Sequence, residues 1–128
     1  MTGCGKQGGP EASQASREVV VYTALDSEFS EPILQDFSKE TGVTAQSKFD
    51  TESTKTVGLT QALMAEARRP RCDVFWNNEI LNTLRLEREG LLDVYRSPAS
   101  EAYPELWRSP TGTYHAFAAR CSSPGRYR

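Results

Sequence analysis

Three short apolar runs, each ending in polar residues and each followed by a helical pattern, organise this chain. Val19-Val20-Val21-Tyr22 runs into Thr23-Ala24-Leu25-Asp26. Val43 to Phe49 runs into Asp50-Thr51-Glu52-Ser53-Thr54, and Cys72-Asp73-Val74-Phe75-Trp76 runs into Asn77-Asn78-Glu79. The first run is β-branched and aromatic without alternation, which predicts a strand over 18–23 buried on both faces. The second alternates and predicts a more exposed strand over 43–49. The third predicts a buried strand over 72–76. Between the runs, apolar residues recur at helical spacing. Phe29, Ile33 and Phe37 predict the inward face of a helix over 27–41, capped by Asp26 or Ser27, with Pro32 near its first turn and Gly42 at its end. Val57, Leu59, Ala62, Leu63 and Met64 predict a helix over 53–68, weakened slightly by Gly58 and closed by Arg69-Pro70-Arg71. Ile80, Leu81 and Leu84 predict the inward face of a helix over 78–89, with Gly90 just past its end.

Strands alternating with helices imply right-handed crossovers and a parallel sheet. The fold class is therefore α/β: a parallel sheet in the order 2-1-3 with flanking helices. Val20, Tyr22, Phe37, Leu63, Val74, Phe75 and Leu84 are expected to be buried. Leu91 to Val94 is expected to cross the sheet edge. Pro98, Pro104 and Pro110 make 97–110 a loop with one helical turn near 103–107, and 112–120 reads as a last strand.

Composition narrows the function classes. The chain has 128 residues and a net charge of −2, room for one domain with a modest core. Acids and bases are interspersed without a basic stripe, which argues against nucleic acid as a partner. No run reaches the length of a membrane span. Residues 1–17 are rich in Gly, Ser and Gln and read as a leader or linker. Residues 18–120 hold the foldable part, and 121–128 are a polar, patternless tail. Cys4, Cys72 and Cys121 are too scattered for a metal knuckle or a redox pair. Cys72, at the start of a buried strand, reads as an inert core thiol. Cys4 follows Thr2-Gly3, and Thr-Gly-Cys resembles the end of a bacterial lipoprotein signal, which makes Cys4 a candidate for acylation and membrane anchoring. No apolar segment of the usual kind precedes it.

Candidate chemistry gathers where the strands end. Open α/β sheets place ligands outside the carboxyl ends of their strands. The ligand-facing candidates are Thr23, Asp26, Ser53, Thr54, Asn77, Asn78 and Glu79, with Arg120 at the end of the last expected strand. Ser53 and Thr54 open a helix, where free N–H groups favour an anion. Thr23, Asn77 and Asn78 offer neutral hydrogen bonds. Each of Ser53, Thr54 and Asn78 also has a plain capping reading, and it is their convergence that points to a site. Trp76 either lines the cleft or fills the core. His115, beside Tyr114 and Phe117, reads as a packing or surface residue. A Gly-rich phosphate loop, a Gly-x-Ser-x-Gly elbow, a Cys/His pair and a metal-ligand cluster are all missing, which argues against an enzyme.

The order of several pieces carries a resemblance: Val19-Val20-Val21-Tyr22-Thr23-Ala24, Phe37-Ser38-Lys39-Glu40-Thr41-Gly42-Val43, Ser53-Thr54-Lys55, Cys72 to Glu79, Gly90-Leu91-Leu92 and Phe117-Ala118-Ala119-Arg120. Over about 18–120 the chain resembles the bacterial extracellular solute-binding proteins of ABC transporters, in the branch of the periplasmic ferric-ion binders. The resemblance implies a type II periplasmic-binding-protein fold with two α/β lobes and a ligand between them, of which this sequence covers part of the first. It implies a periplasmic or cell-envelope location, an ABC permease as partner, a small-molecule or metal-ion solute and no resident cofactor beyond a bound ferric ion. In that branch iron is held by a His after the first strand, a Glu after the third and two Tyr from the second lobe. Here the His position falls at Asp26 and the Glu position at Asn78. Asp26 can still ligate a hard cation, and neighbouring Glu79 can stand in for Asn78; Asn78 itself is a poor ferric ligand. The break of pattern at Cys121-Ser122-Ser123-Pro124-Gly125 reads as a frameshift or premature stop. The alternatives are a non-functional remnant, a ligand-sensing domain of a regulator and, least favoured, an α/β enzyme.

Overall fold

The computed structural model describes residues 17–50 and 57–119. Ser53, Thr54, Arg120, Cys4 and Cys121 lie outside these residues. A three-stranded parallel sheet has the order β2-β1-β3, with β1 at Glu18–Thr23, β2 at Thr44–Phe49 and β3 at Val74–Trp76. β1 pairs with β2 from Glu18↔Thr44 to Thr23↔Phe49, and with β3 from Val21↔Val74 to Thr23↔Trp76. The parallel strands are joined by crossovers that carry α1 (Ser27–Thr41) and α2 (Val57–Ala65). Asp73 lengthens the short third strand: its side chain accepts the Val20 N–H at 2.8 Å, and its own N–H donates to the Val20 carbonyl at 2.9 Å.

The main apolar cluster lies on one face of the sheet, and Val21 is buried on the other. Tyr22, Ala24 and Leu59 form the cluster, with Val20, Ala62, Leu63, Cys72 and Phe75 packed against them. Even-numbered β1 residues thus meet α2, as strand alternation requires. Cys72 is a half-buried core thiol, and burial is the main reason its ionisation is pushed up.

The helices match their expected positions but not their expected faces. Phe29 and Ile33 of α1 are 58% and 55% exposed, and Phe37 is also exposed. The row that meets the sheet is Ser30, Leu34 and Ser38, one residue along. Ser30 is fully buried and donates to the carbonyls of Leu25 (3.4 Å) and Asp26 (3.1 Å). Ser38 donates to Leu34 O at 2.9 Å and accepts the Ala45 N–H of β2 at 3.0 Å. Small side chains let the helix approach β2 closely, and the satisfied hydroxyls remove the cost of burying them. Pro32 sits inside α1 rather than in its first turn. Gly42 closes the helix at φ 70°, a conformation that costs glycine nothing.

α3 (Ile80–Arg88) is rotated in the same manner. Ile80, Leu81 and Leu84 are exposed, whereas Leu86 is fully buried and Asn82, Thr83 and Glu87 are half-buried. Its end is as expected: Gly90 has φ 69°, Gly90 N donates to Glu87 O and Leu91 N to Leu86 O, the paired bonds of a Schellman stop. Val74 is exposed too, although its partner Val21 in β1 is buried. Two expectations fail beyond α3. Leu91 to Val94 joins no sheet, and the described part of the last expected strand, 112–119, forms none: among the described residues only an isolated antiparallel bridge, Arg108↔His115, appears there. Two 3₁₀ turns, Pro98–Ala102 and Glu105–Trp107, fill the proline-bearing loop. Phe117 meets Trp76 edge-on at 6.0 Å between ring centroids, so Trp76 packs at the sheet face.

Candidate functional site

Parallel pairing brings the carboxyl ends of all three strands to one edge of the sheet. An open concavity of about 300 Å³ lies there, lined by Thr23, Ala24, Leu25, Asp26, Ser27, Glu28, Phe49 and Asp50. Its floor is the β1–α1 turn. Thr23 is fully buried, and its hydroxyl accepts the Leu25 N–H at 3.1 Å. Thr23 lines the concavity, and its hydroxyl oxygen is engaged in shaping the turn. Asp26 takes the N-cap position of α1 without a side-chain capping bond, and its carbonyl accepts the N–H groups of Phe29 and Ser30. Asp26 at the N-cap and Glu28 in the first turn both stand at the helix start, where the helix dipole favours negative charge.

The residues after β3 split into two roles. Asn77 is occupied locally: its amide donates to Glu79 O and, at 3.0 Å, to Thr83 Oγ1, while its Oδ1 accepts the Glu79 N–H at 3.2 Å. Glu79 precedes α3 and accepts from Asn82 Nδ2 at 2.8 Å. These two residues set the start of α3. Asn78 instead reaches across the edge and donates to Ala24 O at 3.4 Å, tying the end of β3 to the end of β1. None of the three lines the concavity itself. The described part of the site therefore centres on the ends of β1 and β2.

Two lining carboxylates were not among the sequence candidates. Asp50 follows β2 directly and accepts the Leu59 N–H near the start of α2 at 3.2 Å. Its position after an apolar run was the available signal. Glu28 gave no signal beyond its place in the first helical turn. With Asp26, these residues give the concavity an acidic character. Among the described residues no group of three or more His, Cys, Asp or Glu side chains is placed to hold a metal ion. No described helix is long and apolar enough to cross a membrane.

No protein-family model matches the sequence, and no curated protein matches it. Solved structures do. The Bordetella ferric binding protein superposes with a TM-score of 0.67 at 25% identity, over 77% of this chain and 30% of its own. This chain has the fold of part of a ferric-binding-protein lobe. Mannheimia haemolytica ferric iron-binding protein A in an open conformation matches with a TM-score of 0.65 at 24% identity, over 75% of this chain and 29% of its own. The Trichodesmium protein (IdiA, FutA) in complex with iron and citrate gives 0.67 at 19%, over 78% and 31%. The chain thus spans less than a third of the length of these ferric-binding-protein structures.

Proposed function

We propose that this chain forms the solute-facing edge of one lobe of an extracellular binding protein that serves an ABC importer in the periplasm or cell envelope. The observation that supports this reading best is the convergence of three parallel strand ends on one open concavity, in a fold shared with ferric-iron binders. The lining favours a cationic solute or a metal complex over an anion. Asp26, Glu28 and Asp50 contribute carboxylates, and hard cations such as ferric ion take oxygen ligands. A ferric ion held here would draw further ligands from outside the described residues. The anion reading rested on Ser53 and Thr54, which lie outside them. Acylation at Cys4 would hold the protein at a membrane surface.

Calorimetric titration of the full chain with ferric citrate, a phosphonate and a polyamine tests the reading. Weak heats are expected with the ferric and polyamine probes, falling several-fold in Asp26→Asn. Preference for the phosphonate would overturn the cationic assignment, and no binding by any probe at millimolar concentration would overturn the solute-facing role.

A further inference from the structure

Away from the sheet edge, Leu106 stands 92% exposed, the most open large apolar side chain among the described residues. It belongs to the 3₁₀ turn Glu105–Trp107. Two backbone bonds close that turn, Trp107 N–H to Pro104 O (2.9 Å) and Arg108 N–H to Glu105 O (3.0 Å). A third, Ala116 N–H to Trp107 O (2.8 Å), ties it to the segment beyond. The Trp107 ring lies within 19° of parallel to that of Tyr103, at 6.3 Å between centroids. Leu106 is thus held out by a braced turn, and a braced turn loses little freedom on docking. Beside it lies an open hollow of about 520 Å³, lined by Glu105, Leu106 itself, Arg108, Pro110 and Tyr114. An apolar knob and a hollow with apolar walls therefore share one face. The occupant that satisfies both is a second copy of the chain. In a two-fold contact one patch serves both partners, so each Leu106 enters the hollow of the other copy. The charges agree with this arrangement. Exposed Glu105 and half-buried Arg108 both line the hollow, and the described ion pairs, Lys39–Asp36 and Lys48–Glu66, lie elsewhere. A two-fold axis sets Glu105 of one copy against Arg108 of the other, twice. A partner of a single charge sign would instead face a like charge at one of the two.

We propose that this face forms a reversible two-fold dimer, in which Leu106 of each copy fills the hollow of the other and Glu105 pairs with Arg108 across the axis. The contact is independent of the concavity at the sheet edge and does not rest on the function proposed for it. Sedimentation equilibrium of the full chain tests it. A monomer–dimer equilibrium is expected with a dissociation constant between about 10 µM and 1 mM, as suits a small contact. Leu106→Asp should weaken the dimer about tenfold or more, since an apolar anchor seated in a pocket carries much of such a contact. Glu105→Arg should weaken it several-fold by setting like charges against each other. Both side chains are exposed in the single chain, so thermal melts of dilute samples should match those of the unaltered protein. A chain that stays monomeric through that range overturns the proposal, and so does a dimer indifferent to Leu106→Asp. A dimer that responds to Leu106→Asp but not to Glu105→Arg overturns the charge pairing and with it the two-fold arrangement. Masses that keep growing with concentration indicate a head-to-tail contact and overturn it as well.

Discussion

Ser38 fixes the spacing between a helix and a strand with one hydroxyl. It donates to Leu34 O and accepts from Ala45 N, so Ser38→Ala leaves a part-buried strand amide without a partner. A loss of about 1–3 kcal/mol is expected in urea unfolding; a loss near zero would mean water replaces the hydroxyl. Glu87 does similar work for the turn beyond α3. Its Oε1 accepts from Thr111 and Thr113, both at 2.5 Å, and from Ser109 at 3.3 Å. The Thr111 bond foremost, then the Thr113 bond, holds the carboxyl below its ordinary value of 4.5. A lowered folded-state value means that the stabilisation is present above the ordinary value and is lost as pH falls through the lowered one. Glu87→Gln should therefore flatten the decline in stability below pH 4.5, measured as unfolding midpoints in an acid series. An unchanged profile would assign that decline to other carboxylates. Residues whose role is local were legible in the sequence. Gly42 and Gly90 announced their helix ends, and the polar residues after β1 and β3 announced the turns. The buried Ser30 and Ser38 were not legible, because hydrophobicity alone places serine outside.

At the scale of elements, the 3.6-residue period was visible but its phase was not. α1 carries two rows one residue apart, Phe29/Ile33/Phe37 and Ser30/Leu34/Ser38, and these differ by only about 100° around the axis. The apolar row looks like the inward one, yet the small row faces the sheet. α3 repeats the lesson. Asn77 grips Thr83, the 109–113 turn grips Glu87, and together they turn Leu86 inward and Leu81 outward. The consequence inverts a sequence-based ranking of mutations. Phe29→Ser, at 58% exposure, should change stability by no more than about 0.5–1 kcal/mol. Leu86→Ala, at full burial, should cost about 2–5 kcal/mol. Denaturant melts of the two variants compare them directly, and a larger loss for Phe29→Ser would show that the outer row is covered in solution. The absent last strand has a related cause. Tyr114 to Ala118 has strand composition, but a strand needs a paired edge, and among the described residues only Arg108 offers a bridge to it.

At the scale of the molecule, the parallel order β2-β1-β3 was readable because handedness leaves few ways to connect such elements. The edge that gathers Thr23, Asp26 and Asn78 follows from that order alone. Of the residues that fill the edge, Asp50 had a signal in its place after an apolar run, whereas Glu28 reaches the edge only through the geometry of the β1–α1 turn. The outer faces stay open: Phe29, Ile33, Ile80, Leu81 and Phe117 are all exposed, in a chain that spans 29% to 31% of the matched solved structures. A concavity with one wall leaves each ligand hydrogen bond in competition with water, at a net gain of only about 0.5–1.5 kcal/mol, whereas binding sites normally enclose most of a ligand's surface. Weak, localised binding is the expected behaviour of the isolated chain. Amide spectra recorded during titration of the full chain with ferric citrate and with a polyamine test this most directly. Perturbations should gather at residues 23–28, 49–50 and 78, with an affinity weaker than micromolar. Submicromolar binding by the monomer, roughly −8 kcal/mol or tighter, or perturbations centred away from the strand ends, would contradict it.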